Sequence, residues 1–423
     1  MFSQIAQVHD RRINDQFELL TDIGVLLEAI DVRYAHAIED IQIALAQLGQ
    51  ETREAFAKDH TVYRWLQVMR AELLAAYEKG APRSAEAKVP DMLVHFELAI
   101  AILTSNDYAF TLGDHSVRRF LLPVSRTVVD VTTPRPTSTI ACRYLAASDA
   151  LDVDGHLRPM MRYGRTRGIT VVDSNLDLFF DPTGGQYPVQ LDGSIDLGVW
   201  QATLECALDL IQRNPVAHEL VDKFVTYLVP LEQGGEVRNL SFSARSLPGV
   251  IFKNNELTPH LIGETLVHEA DHQFFYAIDR IGAMWTTDVT LQKAVYYSPW
   301  RDDPRPLDGI LRGLSSFARV SHYYTTLLTE EVLQPADQLA AGVVLAKRLG
   351  EAEIALRTVV GSEDLSDFGS AYVEDIEAVL RRVRVDTQTI PRFGAWMSRA
   401  SAEIESHRRA WEVTNRTCAD REH

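Results

Sequence analysis

Cysteine is scarce in this 423-residue chain: Cys142, Cys206 and Cys418 are far apart and none has a CxxC spacing. An odd, scattered set excludes a disulfide framework and a thiolate zinc site, and it fits a reducing compartment such as the cytoplasm. Basic charge is also in short supply. Forty-two lysines and arginines stand against fifty-nine acidic residues, a formal net charge of -17, which repels a phosphate backbone and argues against nucleic acid as a partner. Long apolar runs are missing too. No window approaches about 18 uninterrupted apolar residues, and Met1-Phe2-Ser3 leads into charged positions with no apolar h-region. The expectation is a cytoplasmic protein with no export signal and no membrane partner. Self-association into a homo-oligomer is left open.

What is present is an ordinary globular composition, 46% hydrophobic and 24% charged, in a chain long enough for two or three domains. Apolar residues at three and four spacing, such as Phe17, Leu20, Ile23, Leu27 and Ile30, predict a helical N-terminal region over 1–130, interrupted by the loop Lys79 to Ser84. After Thr132 to Ser138, β-branched clusters such as Gly168 to Val172 and Leu176 to Phe180 predict a mixed, strand-rich region over 131–215, a candidate for peptide recognition. Residues 216–423 read as a third region, with strand-like pieces at Phe224 to Leu231, Leu240 to Arg245 and Val250 to Phe252. A helix opens there at Thr258-Pro259 with Gly282 as a candidate C-cap, and amphipathic helices follow. The predicted fold class is α+β, mostly helical, with a small sheet packed beside that helix.

The helix carries His268-Glu269-Ala270-Asp271-His272, an HExxH motif. A spacing of four on a 3.6-residue turn puts both imidazoles on one face, able to share one ion of zinc, iron or copper. Apolar neighbours from Leu261 to Ile281 mark the motif as part of a packed helix. The familiar use of HExxH is zinc peptide hydrolysis, with Glu269 as general base. The continuation does not follow that pattern: Phe275 and Ile278 occupy the positions where metzincins need glycine and histidine, and no glutamate occurs between Glu269 and Glu330. The only histidine between His272 and His407 is His322, the favoured third ligand, with Asp302, Asp303, Glu330 and Glu331 as carboxylate alternatives.

The loop Tyr296-Tyr297-Ser298-Pro299-Trp300-Arg301-Asp302-Asp303-Pro304-Arg305-Pro306 combines aromatics, stiffening prolines and two arginines whose planar forks suit carboxylates. It reads either as a rigid Arg-Asp-capped loop or as a dicarboxylate-binding loop.

From Ser241 to about Val320, the stretches Leu247 to Ile251, Leu266 to His272, Tyr296 to Leu307 and Gly309 to Gly313 resemble the HExxH-motif peptide-modification proteins of ribosomal peptide natural product pathways. That resemblance implies a non-haem iron(II), 2-oxoglutarate-dependent oxygenase that hydroxylates a β-carbon in a precursor peptide. It implies His268, His272 and a third residue, His322 here, on the metal, with Glu269 orienting a ligand. The 2-oxoglutarate carboxylate needs an arginine: Arg301 or Arg305 first, then Arg319, with Tyr297 beside them and Arg312 as a substitute. The family pattern implies a histidine or glutamine at the position of Arg312, or a histidine near Phe317, and this chain has neither. The other readings are a zinc metallopeptidase and a catalytically inert peptide-binding relative.

Overall fold

The computed structural model describes residues 2–28, 32–78, 89–113, 119–122, 127–131, 139–172, 195–231, 240–245, 247–254, 258–287 and 295–419. The chain divides into two compact units: His9–Leu197 with Val225–Asn255, and Met1–Val8 with Gly198–Phe224 and Glu256–His423. The fold is mostly helical α+β, as expected. No helix among the described residues is long and apolar enough to cross a membrane.

The first unit begins at His9 within α1 (Phe2–Glu28) and continues through α2 (Val32–Gln47), α3 (Gln50–Lys58), α4 (His60–Glu78) and α5 (Val89–Leu103). Their apolar stripes meet in one core that includes Ile23, Ile38, Phe56, Leu66 and Phe96, the burial that stabilises helices of this length. The helical reading stops short of residue 130. Strands β1 (Tyr108–Gly113), β2 (Arg119–Leu121) and β3 (Thr127–Asp130) already lie inside it, and Phe110 and Leu112 of β1 alternate into the same core, a period of two that the helical count overlooked.

Strands β4 (Thr139–Leu145), β5 (Ala150–Val153) and β6 (His156–Pro159) join β1 in an antiparallel sheet of order β1-β4-β5-β6. Strand β7 (Met161–Arg162) pairs with β3. Strands β8 (Arg165–Thr166), β9 (Ile169–Val171), β10 (Tyr227–Leu231), β11 (Ser241–Ala244) and β12 (Leu247–Asn254) form a five-stranded sheet, order β11-β12-β10-β9-β8. Tyr227 of β10 pairs in parallel with Thr170 of β9. That pairing places the strands at 225–255 with the preceding sheet instead of with the unit of the HExxH helix. The Lys79 to Ser84, Thr132 to Ser138 and Leu176 to Phe180 segments lie outside the described residues.

The second unit is built from α6 (Leu197–Gln212), α7 (Pro215–Phe224), α8 (Pro259–Ile278), α9 (Leu307–Thr329), α10 (Pro335–Val360), α11 (Asp367–Thr387) and α12 (Phe393–Ala419). Helix α8 carries the HExxH motif and is buried on nearly every side, polar residues such as Glu264, Glu269, Asp271 and Gln273 included. Thr258 is its N-cap and Pro259 sits at the first helical position, as read from the sequence. It ends at Ile278 with Asp279 as C-cap, so Gly282 does not cap it. Gly282 instead admits the Phe368 ring, which a Cβ would meet at 2.8 Å. Helix α9 packs on α8, α10 and α11. Gly263 is what lets α8 and α9 approach, since a Cβ there would overlap the Tyr323 hydroxyl.

Candidate metal centre

Four residues apart on α8, His268 and His272 present their rings edge to face with centroids 4.6 Å apart, a spacing two imidazoles can hold while sharing one ion at N–metal bonds of about 2.0–2.1 Å. Both are half-buried. Burial holds His272 down at about 4, with the charge of Arg312 adding to it. Burial, then His272 and Arg348, hold His268 well below the ordinary value. At neutral pH both rings are therefore uncharged, the form that binds metal.

The tautomer of His272 follows from its neighbour. Ser316 of α9 donates its only proton to Asp271 Oδ2 at 3.2 Å, and its Oγ lies 3.0 Å from His272 Nδ1. Having spent its proton, Ser316 accepts the Nδ1–H of His272, so the lone pair sits on Nε2. Asp271 is fully buried, and Arg319 Nε stands 3.3 Å from its Oδ1. Burial pushes the Asp271 carboxyl up, opposed first by Arg319 and then by the serine hydrogen bonds. The chain Arg319, Asp271, Ser316, His272 is the outer support that orients metal-binding histidines. Arg319 is thus committed to Asp271 and not to a cosubstrate, a correction to its expected role.

Around His268 the contacts are aromatic and cationic. Its ring lies 5.2 Å from that of Phe317, which packs against Trp300 at 4.9 Å and carries the Arg348 guanidinium 4.4 Å above it. Trp300 reaches this position because Gly313 has no side chain; a Cβ there would overlap the indole. Arg348 Nη1 donates to Glu351 at 2.9 Å, and its Nε stands 3.6 Å from Glu264. Glu264, one turn before His268, also accepts from Tyr324 at 2.9 Å. Arg312, whose charge acts on His272, pairs with Asp308 at 2.9 Å and has a buried Nε with no hydrogen-bond partner. The charges of two guanidiniums thus act on the histidine pair, each guanidinium having carboxylate partners of its own.

The expected third ligand is not brought to this pair. His322 is held down at about 4, first by burial, and the charges acting on it are those of Arg319, Asp386 and Arg382, so its surroundings include α11. Asp303 is paired with Arg301 at 2.7 Å and Arg305 at 3.4 Å, and Asp302 with His407 at 3.2 Å. Glu330 and Glu331 stand at the far end of α9. Among the described residues no group of three or more His, Cys, Asp or Glu is arranged to hold a metal ion. Arg301 and Arg305 therefore pair with Asp303 instead of facing the histidines. Tyr297 hydrogen-bonds His407 at 3.0 Å and packs on Trp411 of α12. Glu269 is 2% exposed, more deeply buried than either histidine beside it. Ser316, Asp271 and Arg348 were not singled out from the sequence; only Asp271 carried a signal, its place inside the motif.

No family model and no curated protein matches the chain. The family resemblance rests on the motifs quoted above.

Proposed function

We propose that the chain is a non-haem iron(II), 2-oxoglutarate-dependent oxygenase that hydroxylates a β-carbon of a precursor peptide. The observation that carries this reading is a pair of neutral imidazoles set between Arg312 and Arg348. The donor set fits an ion that takes as many ligands from its cosubstrate as from these two side chains. Two imidazoles would supply two positions, and a 2-oxo acid would supply two oxygen donors beside them.

In this reading His268 and His272 hold the ion, Nε2 being the donor of His272. Iron(II) with a 2-oxo acid supplies oxidation of a C–H bond by dioxygen, the oxo acid losing carbon dioxide. Ser316 and Asp271 keep the His272 ring oriented. Arg312 neutralises the far carboxylate of the cosubstrate, through the Nε that has no partner of its own. Phe317, with Trp300 packed behind it, covers one side of the His268 ring. Glu269 is a positioning residue and not a base.

The test is 2-oxoglutarate turnover by anaerobically iron-loaded protein, with Glu269→Gln as the discriminating variant. Metal retention with part of the turnover supports the oxygenase. Zinc-dependent peptide cleavage that vanishes in Glu269→Gln supports the peptidase in its place.

A further inference from the structure

Beside the histidine pair, a cleft of about 370 Å³ opens between the Tyr296 to Pro306 loop, α10 and α12, its lining including Trp300, Lys347, Arg348, Glu351 and Ile404. It adjoins the candidate metal centre through Arg348 and Trp300, both of which pack on Phe317. Most of its charged rim is already committed: Arg301 to Asp303, Glu403 to Arg399 and His407 to Asp302. Glu351 and Lys347 retain unused hydrogen-bonding capacity. Glu351 is fully buried, its Oε2 taken by Arg348 at 2.9 Å, while its Oε1 is buried with no hydrogen-bond partner. The ammonium of Lys347 stands 4.0 Å from that same Oε1, beyond hydrogen-bond reach, on a side chain 46% exposed.

A buried carboxylate oxygen without a donor is costly, and here it sits next to an ammonium with donors to spare. The complement is a ligand that offers an N–H and an acceptor oxygen side by side. An extended amino-acid residue does this: its own N–H and C=O point the same way, as they do toward a neighbouring strand. We propose that this cleft clamps the backbone of one amino-acid residue of the substrate. The N–H donates to Glu351 Oε1, the carbonyl or carboxylate oxygen accepts from Lys347 Nζ, and an apolar side chain lies on Trp300 and Ile404. The choice of a peptide as its source rests on the function proposed above, and a free amino acid presents the same two groups.

The experiment is ligand-observed NMR on the metal-free full chain with three probes: acetyl-Ala-Leu-Ala-amide, the same peptide N-methylated at leucine, and free leucine. The capped peptide binds, and N-methylation or Lys347→Met each weakens it about tenfold, the cost of one charge-assisted hydrogen bond. Lys347 is half-exposed, so that variant folds even where Glu351→Ala, which strips Arg348 of a partner, does not. Binding of leucine alone, still sensitive to Lys347→Met, supports the backbone clamp and assigns it to a free amino acid. Binding indifferent to both N-methylation and Lys347→Met, or no binding of any probe, overturns the clamp. None of these measurements needs iron or 2-oxoglutarate, so failure here and failure of the oxygenase reading are told apart.

Discussion

Ser316 Oγ lies 3.0 Å from His272 Nδ1 with its proton directed to Asp271, so one hydroxyl on α9 sets which nitrogen of an α8 histidine faces outward. Ser316→Ala removes that control. Metal affinity falls by about tenfold to a hundredfold, the usual consequence of losing an outer partner of a ligand histidine. The fold persists, at a cost of about 1–3 kcal/mol for the hydrogen bond lost by buried Asp271. Calorimetric titration and urea unfolding measure the two effects separately. Unchanged metal affinity would remove Ser316 from the site.

Gly313→Ala sets two effects against each other. Alanine improves helix propensity by about 1 kcal/mol, but its methyl would overlap the Trp300 indole, a rigid ring packed on Phe317. Overpacking of this kind costs about 1–3 kcal/mol, so the clash wins. The variant unfolds at lower urea, and its tryptophan emission shifts as Trp300 leaves its seat. A stabilised variant with unaltered emission would contradict the packing described.

Acid should destabilise the metal-free protein in a defined window. His272 and His322 are held down at about 4 and His268 well below its ordinary value, burial being the first cause in each. A histidine depressed in the folded state contributes stability that is complete above about 6.5 and is lost as pH falls toward the folded value. The urea midpoint is therefore level above about pH 6.5 and declines from there to about 4. His322→Gln, away from the metal pair, makes the decline shallower. A midpoint independent of pH across this range would show the three rings are not buried as neutral groups.

Much of the second unit was legible in the sequence because its signals are local. The HExxH spacing, Thr258-Pro259 at a helix start and the amphipathic helices that follow are all read from neighbours along the chain. The partners of the histidines come from other helices, and local pattern does not report them. His322 is singled out by the sequence as the only histidine between His272 and His407, yet it lies six positions after Ser316, about 240° round a 3.6-residue helix, which turns it from the face that meets His272. Arg348 belongs to α10 and is brought near His268 by packing on Phe317. The same limit applies to β10, whose parallel pairing with β9 spans the described and undescribed residues between them.

The arginines divide cleanly between candidates. Arg312→Ala should raise the 2-oxoglutarate concentration needed for half-saturation more than tenfold, since losing the charged partner of a buried carboxylate costs about 2–5 kcal/mol. Arg301→Ala and Arg305→Ala, both paired with Asp303 at the loop, leave it within about twofold, as surface ion pairs are worth about 0–1 kcal/mol. The reverse ranking would return the cosubstrate to the loop.

The central claim is a two-histidine ion site that 2-oxoglutarate completes, and anaerobic titration of iron(II) into the parent, His268→Ala, His272→Ala and His322→Ala tests it most directly. The account predicts that the parent and His322→Ala take up iron alike and bind 2-oxoglutarate only once iron is present, whereas both α8 variants take up none. Full iron loading in His268→Ala or His272→Ala, or loss of iron in a folded His322→Ala, would contradict it.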